Sequence, residues 1–476
     1  MAEPASQTLG ERIAEFATDA AANGVPNDVA ASVQQRTLDV LGLCVAAHRL
    51  DTSAAIIEHV LDQGGHEQAS LVGRPERVTA AQAALVNGVL AHSLDYDDTH
   101  LPSILHPSAS VVPAALAAAE HAGASGELTV RAIAVGLEVA VRLGMAGYDE
   151  KLGNSVFFEH GQHATSITGA MGSAVAASLV YGADRGAVLH ALGLTASMAS
   201  GVIEANRSGG TVKRLHCGLA AQAGVTAAQL VRRGFTGPAT VLEGRFGFFQ
   251  AWLHGQFFPV AVTEGLGEEW SVPGIFFKPY PANHFTHTTV DAGRAFRDRG
   301  VRPEDIASVT IGAPTAVIRT IGQPIDVKRA PQTGYQAQFS GPYAFVAGLF
   351  GGSGLGTGLD DYTDALAQDP ARRAVMAKVD VVPDERCDGI YPFQFPAVVT
   401  LRTTSGEELV EEVLSNRGGP ARPLSDDELA TKFRDNVAGR LGAAAADAVR
   451  RSALDLRHAS GVADLLTPLS NLEENR

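Results

Sequence analysis

"ATSITGAMGSAVAASLVYGA", residues 164–183, carries no formal charge. The stretch is long enough to cross a bilayer. It is also rich in Ser, Thr and Gly, and no basic flank marks it as a membrane anchor. A helix that is apolar all round belongs either in a membrane or at the centre of a bundle. Small residues that let backbones approach closely favour the second. The stretch therefore predicts a buried core helix, and with it a helical bundle.

The same character extends on both sides. "LGERIAEFATDAAANG" is amphipathic and closes on Gly24, and "PNDVAASVQQRTLDVLGLCVAAHRL" starts at Pro26 with an Asn-Asp cap. "TAAQAALVNGVLAHSLDYDD", "HPSASVVPAALAAAEHAG", "LTVRAIAVGLEVAVRLGMAG", "RGAVLHALGLTASMASG" and "KRLHCGLAAQAGVTAAQLVRRG" all carry helical periodicity. Near Trp270 the pattern changes. "ASVTIGAP", "AKVDVVPD", "PAVVTLRTT" and "GEELVEEVL" read as strands, with helices in "TTVDAGRAFRDRG" and "FSGPYAFVAGLFGG". Helix returns after Ser425, which with Glu428 forms a capping box. The expected class is mainly α with an α+β second domain. Residues 1–270 form a large all-helical domain, 271–415 a smaller α+β domain, and 416–476 a helical return to the first.

The chain has 476 residues, 45% of them apolar and 19% charged, which is globular composition. Its net charge of −15 argues against nucleic acid and anionic membranes as partners. Cys44, Cys217 and Cys387 lie far apart, with no C-x-x-C spacing. That excludes a cysteine-ligated zinc or iron–sulfur centre and fits a reducing cytoplasm. The opening "MAEPASQTLGERIAEF" lacks the apolar segment of a signal peptide.

Ionisable residues interrupt this apolar background at a few places. "HSLDYDDTHLPSILH" runs from His92 to His106. If the helix continues through it, His92, Asp95 and Thr99 share a face, while Asp97 and Asp98 face water. His106 precedes Pro107 at the start of the next helix. His163 opens the uncharged helix, and Lys213 and His216 open another, with Thr211 as its cap. Helix N-termini attract carboxylates, so cationic groups at several of them define an anion site if they converge. "KPYPANHFTH" adds Lys278, Tyr280, His284 and His287 on a stiff loop, and "SGPY" places Tyr343 at the start of an apolar helix. Asp95, Asp97 and Asp98 cannot face one point on a helix, and no H-E-x-x-H occurs, so no metal is expected.

"AALVNGVLAHSLDYDDTH…HPSASVVPAALAAAE" resembles the signature region of the MmgE/PrpD family. The resemblance continues in order through "HATSITGAMGSAVAA", "VKRLHCGLAAQAG", "KPYPANHFTH", "QAQFSGPYAFVAGL" and "FPAVVTLRTTSGEELVEEV…RPLSDDELATKF". It implies a helical domain with an α+β lid, in a homodimer, acting on a small polycarboxylate without a cofactor. The active-site positions it implies are Asp95, Thr99, His106, His163, Lys213 and Tyr343, together with His216. Where many members carry a lid-loop arginine, this sequence has His284, and a bidentate guanidinium is lost.

The expected chemistry is proton transfer beside a carboxylate followed by loss of water, as for 2-methylcitrate or citrate. Asp95, His106, His163 and Lys213 are the expected catalytic residues, with Asp95 and either His163 or His106 as base and acid. His92, Thr99, His216, Lys278, Tyr280, His284, His287 and Tyr343 are expected to bind substrate. Cluster iron is excluded by the cysteine pattern, so side chains must supply the acid. Decarboxylation of an aconitate-like acid and iminodisuccinate-type epimerisation are the alternatives within the family. A carboxylate-binding protein without turnover is the alternative outside catalysis.

Overall fold

A computed structural model describes residues 7–205 and 209–473. It divides into two compact units, Met1–Ile275 with Asn436–Arg476, and Phe276–Asp435. The division thus falls at 275/276 and 435/436, where the sequence pattern placed it at 270/271 and 415/416. The class is mainly α with an α+β second unit.

The principal helices of the first unit are α1 (Leu9–Asn23), α2 (Asn27–Ala47), α3 (Asp51–Gln63), α4 (Ala80–His92), α5 (Ser108–Ala122), α6 (Gly126–Met145), α7 (Ala164–Val180), α8 (Arg185–Thr195) and α9 (Val212–Val231). Every residue of α7 is buried, as its uncharged sequence predicts. Helix α9 packs on α4 and α7, α6 packs on α7, and α5 packs on α4 and α7. Glycines permit these crossings. A Cβ on Gly218 of α9 would sit 2.3 Å from the Leu85 carbonyl oxygen of α4, and one on Gly172 of α7 would sit 2.3 Å from the Gly136 oxygen of α6. No real Cβ tolerates such a contact.

Among the described residues no single helix is long and apolar enough to cross a membrane. The pair α2 and α3 passes on length and composition only together, and it turns by 95°. Local details differ from the pattern in two places. Helix α2 begins after Pro26 with no side-chain cap, so Asn27 and Asp28 lie inside its first turn. Gly24 does close α1, at φ 106°. Beyond α9, residues 235–275 form turns and short helices rather than another long helix.

The second unit holds α10 (His287–Asp298) and α11 (Gly341–Phe350) with strands β1 (Ile306–Ala313), β2 (Val379–Pro383), β3 (Ala397–Thr403) and β4 (Glu408–Val413). The sheet order is β2-β1-β3-β4. β1 and β2 run parallel, with Val309 opposite Val379; β1–β3 and β3–β4 are antiparallel, with Val309 opposite Leu401 and Val398 opposite Glu412. Helices α10 and α11 pack on each other, and Phe296, Phe345, Ile311 and Val399 share the core beneath them. Helix α12 (Asp426–Val437), in which the division falls, starts with the expected box: the Glu428 amide donates to Ser425 Oγ at 3.2 Å, and the Ser425 amide to Glu428 at 2.8 Å. Helix α13 (Ala443–Leu454) belongs to the first unit and packs on α2.

Candidate active site

Helix α4 ends at His92, and the chain then leaves helical geometry. Asp95 adopts φ 53°, a left-handed conformation that aspartate tolerates better than most residues. The helical face proposed for His92, Asp95 and Thr99 is therefore not formed. The expectation that Asp97 and Asp98 face water is also overturned. Both are buried, at 0% and 2% exposure. The reason is pairing. His92 Nδ1–H donates to Asp97 Oδ2 at 2.7 Å. Asp98 accepts from Arg36 Nη1 at 2.8 Å and from the Ser108 hydroxyl and amide. Burial pushes the Asp98 carboxyl above its usual range, against the pull of Arg36 and Ser108.

His106 lies one residue before the α5 cap, Pro107. Its Nδ1–H donates to the Asp98 carbonyl at 2.6 Å, with Thr99 Oγ1 at 3.3 Å. In the neutral ring this leaves Nε2 as the acceptor. Its amide donates to Thr165 Oγ1 of α7 at 3.3 Å. His163 is the N-cap of α7 but makes no side-chain capping bond. Instead its Nδ1 lies 2.8 Å from Nδ1 of His216, in the second turn of α9. Thr211 stands at the α9 cap position, likewise without a side-chain capping bond. Lys213, one turn before His216, donates to Asp95 Oδ1 at 2.9 Å.

Four imidazoles thus meet at the ends of α4, α5, α7 and α9. Ring centroids are 5.5 Å apart for His92 and His106, 5.8 Å for His92 and His163, and 4.9 Å for His163 and His216. All four are buried. Burial, reinforced by His92, His216, Lys213 and His106, holds His163 well below the usual histidine range. Burial, with His92 and Lys213, brings His216 down to about 4. Both rings are therefore neutral at pH 7. The described cysteines are free and buried, and burial pushes their thiols up, so none is a nucleophile at neutral pH.

The remaining sequence-predicted residues lie in the second unit, all buried. The Tyr280 hydroxyl donates to Asp291 Oδ1 at 2.5 Å and accepts from Arg294 at 2.8 Å. His284 and His287 lie face to face at 4.4 Å, and His287 Nε2–H donates to the Ala282 carbonyl at 3.1 Å. Lys278 is 1% exposed. Tyr343 sits in the first turn of α11 and its hydroxyl donates to the Asp361 carbonyl. Burial pushes its phenol up to about 12. A cavity of about 500 Å³ in this unit, lined by Arg294, Arg417 and Arg422, contains none of the predicted residues.

Sequence reasoning missed two participants. Arg36 is buried in α2, held by Asp98 and by the carbonyls of Val272 and Ile275. A lone arginine in an apolar helix was the available signal. Asp97 was the other; nothing in its local spacing pairs it with His92, because the helix had to end first.

This combination of a glycine-crossed helical unit, a sheet-containing second unit and clustered imidazoles beside a lysine–carboxylate pair defines the class. Residues 11–260 match the MmgE/PrpD N-terminal domain and residues 280–457 the MmgE/PrpD C-terminal domain, so the chain belongs to the MmgE/PrpD family. It is 30% identical over 385 residues to the cis-aconitate decarboxylase of Homo sapiens, covering 78% of this chain and 75% of that one. It is 28% identical over 412 residues to the enzyme of the same name from Mus musculus, covering 85% and 81%. It is also 25% identical over 468 residues to the cis-aconitate decarboxylase-like protein oryM of Aspergillus oryzae, covering 94% of each.

Proposed function

We propose that the chain is a lyase that decarboxylates an unsaturated tricarboxylate of the cis-aconitate type by side-chain acid–base chemistry. One observation carries this reading: the Nδ1–Nδ1 hydrogen bond between His163 and His216 beside Lys213. Two neutral imidazoles joined through the same nitrogen must be opposite tautomers. One Nε2 then carries a proton and the other a lone pair. The pair offers a donor and an acceptor together: loss of the proton from one Nε2 and gain of one at the other, coupled to transfer across the Nδ1–Nδ1 bond, exchanges them with both rings left neutral.

Loss of carbon dioxide from the methylene carboxylate shifts the double bond and leaves an electron pair conjugated with a retained carboxylate. That charge needs a cation, and Lys213 is the candidate, its ammonium oriented by Asp95. The conjugated carbon then needs a proton. A buried surrounding favours the step, because a desolvated carboxylate becomes neutral carbon dioxide. The names of the relatives support the same choice.

Dehydration of a 2-methylcitrate-like hydroxy acid is the second reading. The Nε2–H of the histidine pair favours it, since a leaving hydroxide needs an acid. Lys278, Tyr280, His284, His287 and Tyr343 are proposed to bind carboxylates of the substrate, and the chain is proposed to act as a homodimer.

The test is incubation with cis-aconitate, citrate, 2-methylcitrate and iminodisuccinate in deuterated water, followed by proton NMR and carbon dioxide release. Decarboxylation of cis-aconitate, lost in His163→Ala, is the expected result. An alkene from 2-methylcitrate alone would move the assignment to dehydration. Inert substrates throughout would sink the proposal.

A further inference from the structure

We infer that His92, oriented by Asp97, is the residue that exchanges a proton with the substrate carbon. The inference rests on the lyase reading and specifies which side chain performs its central step. His92 has the geometry of an oriented acid–base residue. It terminates α4, its side chain and that of Asp97 are both 0% exposed, and Nδ1–H is fixed on Asp97 Oδ2 at 2.7 Å. Its Nε2 is buried and has no hydrogen-bond partner. A buried polar nitrogen without a partner is costly unless something arrives to use it. The ring lies among the other imidazoles, 5.5 Å from His106 and 5.8 Å from His163.

The neighbouring groups have different partners. Asp95 accepts from Lys213, and His163 and His216 are bonded to each other through Nδ1. His106 donates Nδ1–H to a peptide carbonyl, which does not stabilise an imidazolium as a carboxylate does. Asp97 gives His92 a carboxylate partner. The cluster therefore separates into one imidazole oriented by a carboxylate and two held neutral by burial.

In decarboxylation the electron pair of the breaking carbon–carbon bond forms the new double bond. The old π pair takes the proton from His92 Nε2–H. Imidazolium becomes imidazole and solvent restores the proton, so one proton is consumed for each carbon dioxide released. In dehydration the neutral ring takes the carbon-bound proton instead. Asp97 is in both cases a positioning residue.

The experiment compares wild type with His92→Gln, Asp97→Asn and Asp97→Glu as full chains, confirmed folded by circular dichroism. Cis-aconitate turnover is measured against pH, and binding of tricarballylate, which cannot react, by calorimetry. His92→Gln is expected to lower kcat at least 100-fold with tricarballylate affinity kept within about threefold. Asp97→Asn is expected to move the alkaline limb of kcat down by about one pH unit or more, with partial recovery in Asp97→Glu. A kcat for His92→Gln within threefold of wild type overturns the inference. If wild type turns over no polycarboxylate, the lyase reading fails by itself. The inference is then decided by ¹⁵N-histidine NMR, with the His92 resonances identified from His92→Gln. A His92 Nε2 signal that moves on adding tricarballylate upholds its contact with the ligand, and an unmoved signal rejects it.

Discussion

Lys213 on α9 and Asp95 beyond α4 join across 118 residues of sequence, Nζ to Oδ1 at 2.9 Å, and Asp95 makes this contact from a left-handed backbone conformation. The pair couples a cation at a helix N-terminus to the loop that follows His92 and carries Asp97. Side-chain exposure is 13% for Lys213 and 5% for Asp95, so neither charge is well hydrated without the other. Lys213→Gln is expected to lower kcat/KM by about 100- to 1000-fold. It should also destabilise the fold by roughly 3 kcal/mol, because it leaves a buried carboxylate with its cation removed. Steady-state kinetics and urea unfolding read the two effects separately. Unchanged stability would show that the pair is solvated in solution.

Asp98→Asn tests the residue pair that the sequence pattern mislocated. Its carboxylate receives Arg36 and Ser108 while its carbonyl fixes His106. Removing the charge strands a guanidinium that is 1% exposed. A loss of about 3–5 kcal/mol is expected in urea unfolding. An Arg36→Met, Asp98→Leu double variant should recover most of that loss.

The histidines predict the pH dependence of stability. His163 and His216 are depressed by burial, His216 to about 4. Between the unfolded value near 6.5 and the folded value, the unfolded chain binds more protons. Stability is thus complete above about pH 6.5 and falls on acidification by about 1.4 kcal/mol per pH unit for each such histidine. His100, brought to about 4 by burial and Arg36, adds in the same sense. Calorimetric scans from pH 7 to 5 should show falling Tm, and His216→Asn should flatten the slope. A Tm that rises on acidification would contradict the neutral pair.

A bound polyanion brings negative potential to these depressed rings and raises their proton affinity. Binding of tricarballylate at pH 7 is therefore expected to take up about one proton per molecule. Calorimetry in buffers of different ionisation enthalpy measures this directly. His216→Asn should reduce the uptake.

Much of the fold was legible because its causes are local. The uncharged run at 164–183 has no amphipathic face to turn outward, and its small residues suit a bundle centre. The β-branched residues of 306–313 and 397–403 mark strands, which pair with each other in the sheet. Residues that open apolar helices, His163 and Lys213 among them, stood out because imidazole and ammonium are poor packing groups. What stayed hidden was long-range or conformational. No glycine or proline ends α4 at His92; the break appears where Asp95 turns left-handed. With the helix assumed to continue, Asp97 and Asp98 pointed to water. Their true partners are His92, reached only after that break, and Arg36, 62 residues away.

Gly218→Ala tests the crossing of α4 and α9. The added methyl would meet the Leu85 carbonyl oxygen at 2.3 Å, a backbone atom that no rotamer change can move. A loss of about 1–3 kcal/mol is expected, with reduced turnover, since His216 lies two residues away. Gly64→Ala, where the added carbon meets nothing within 4 Å but φ is 65°, separates backbone strain from collision.

That crossing has a further consequence. Gly88 and Gly218 bring two main chains into direct apposition, and a contact between peptide groups has no alternative rotamers to sample. The gap between the end of α4 and the start of α9 is therefore a fixed gauge, set by covalent geometry rather than by the fit of leucines and valines around it. Side chains lining the imidazoles are free to vary in size and polarity without altering that gauge. A chain built this way separates two design variables: what it recognises, and how far its proton-handling nitrogens stand from its lysine.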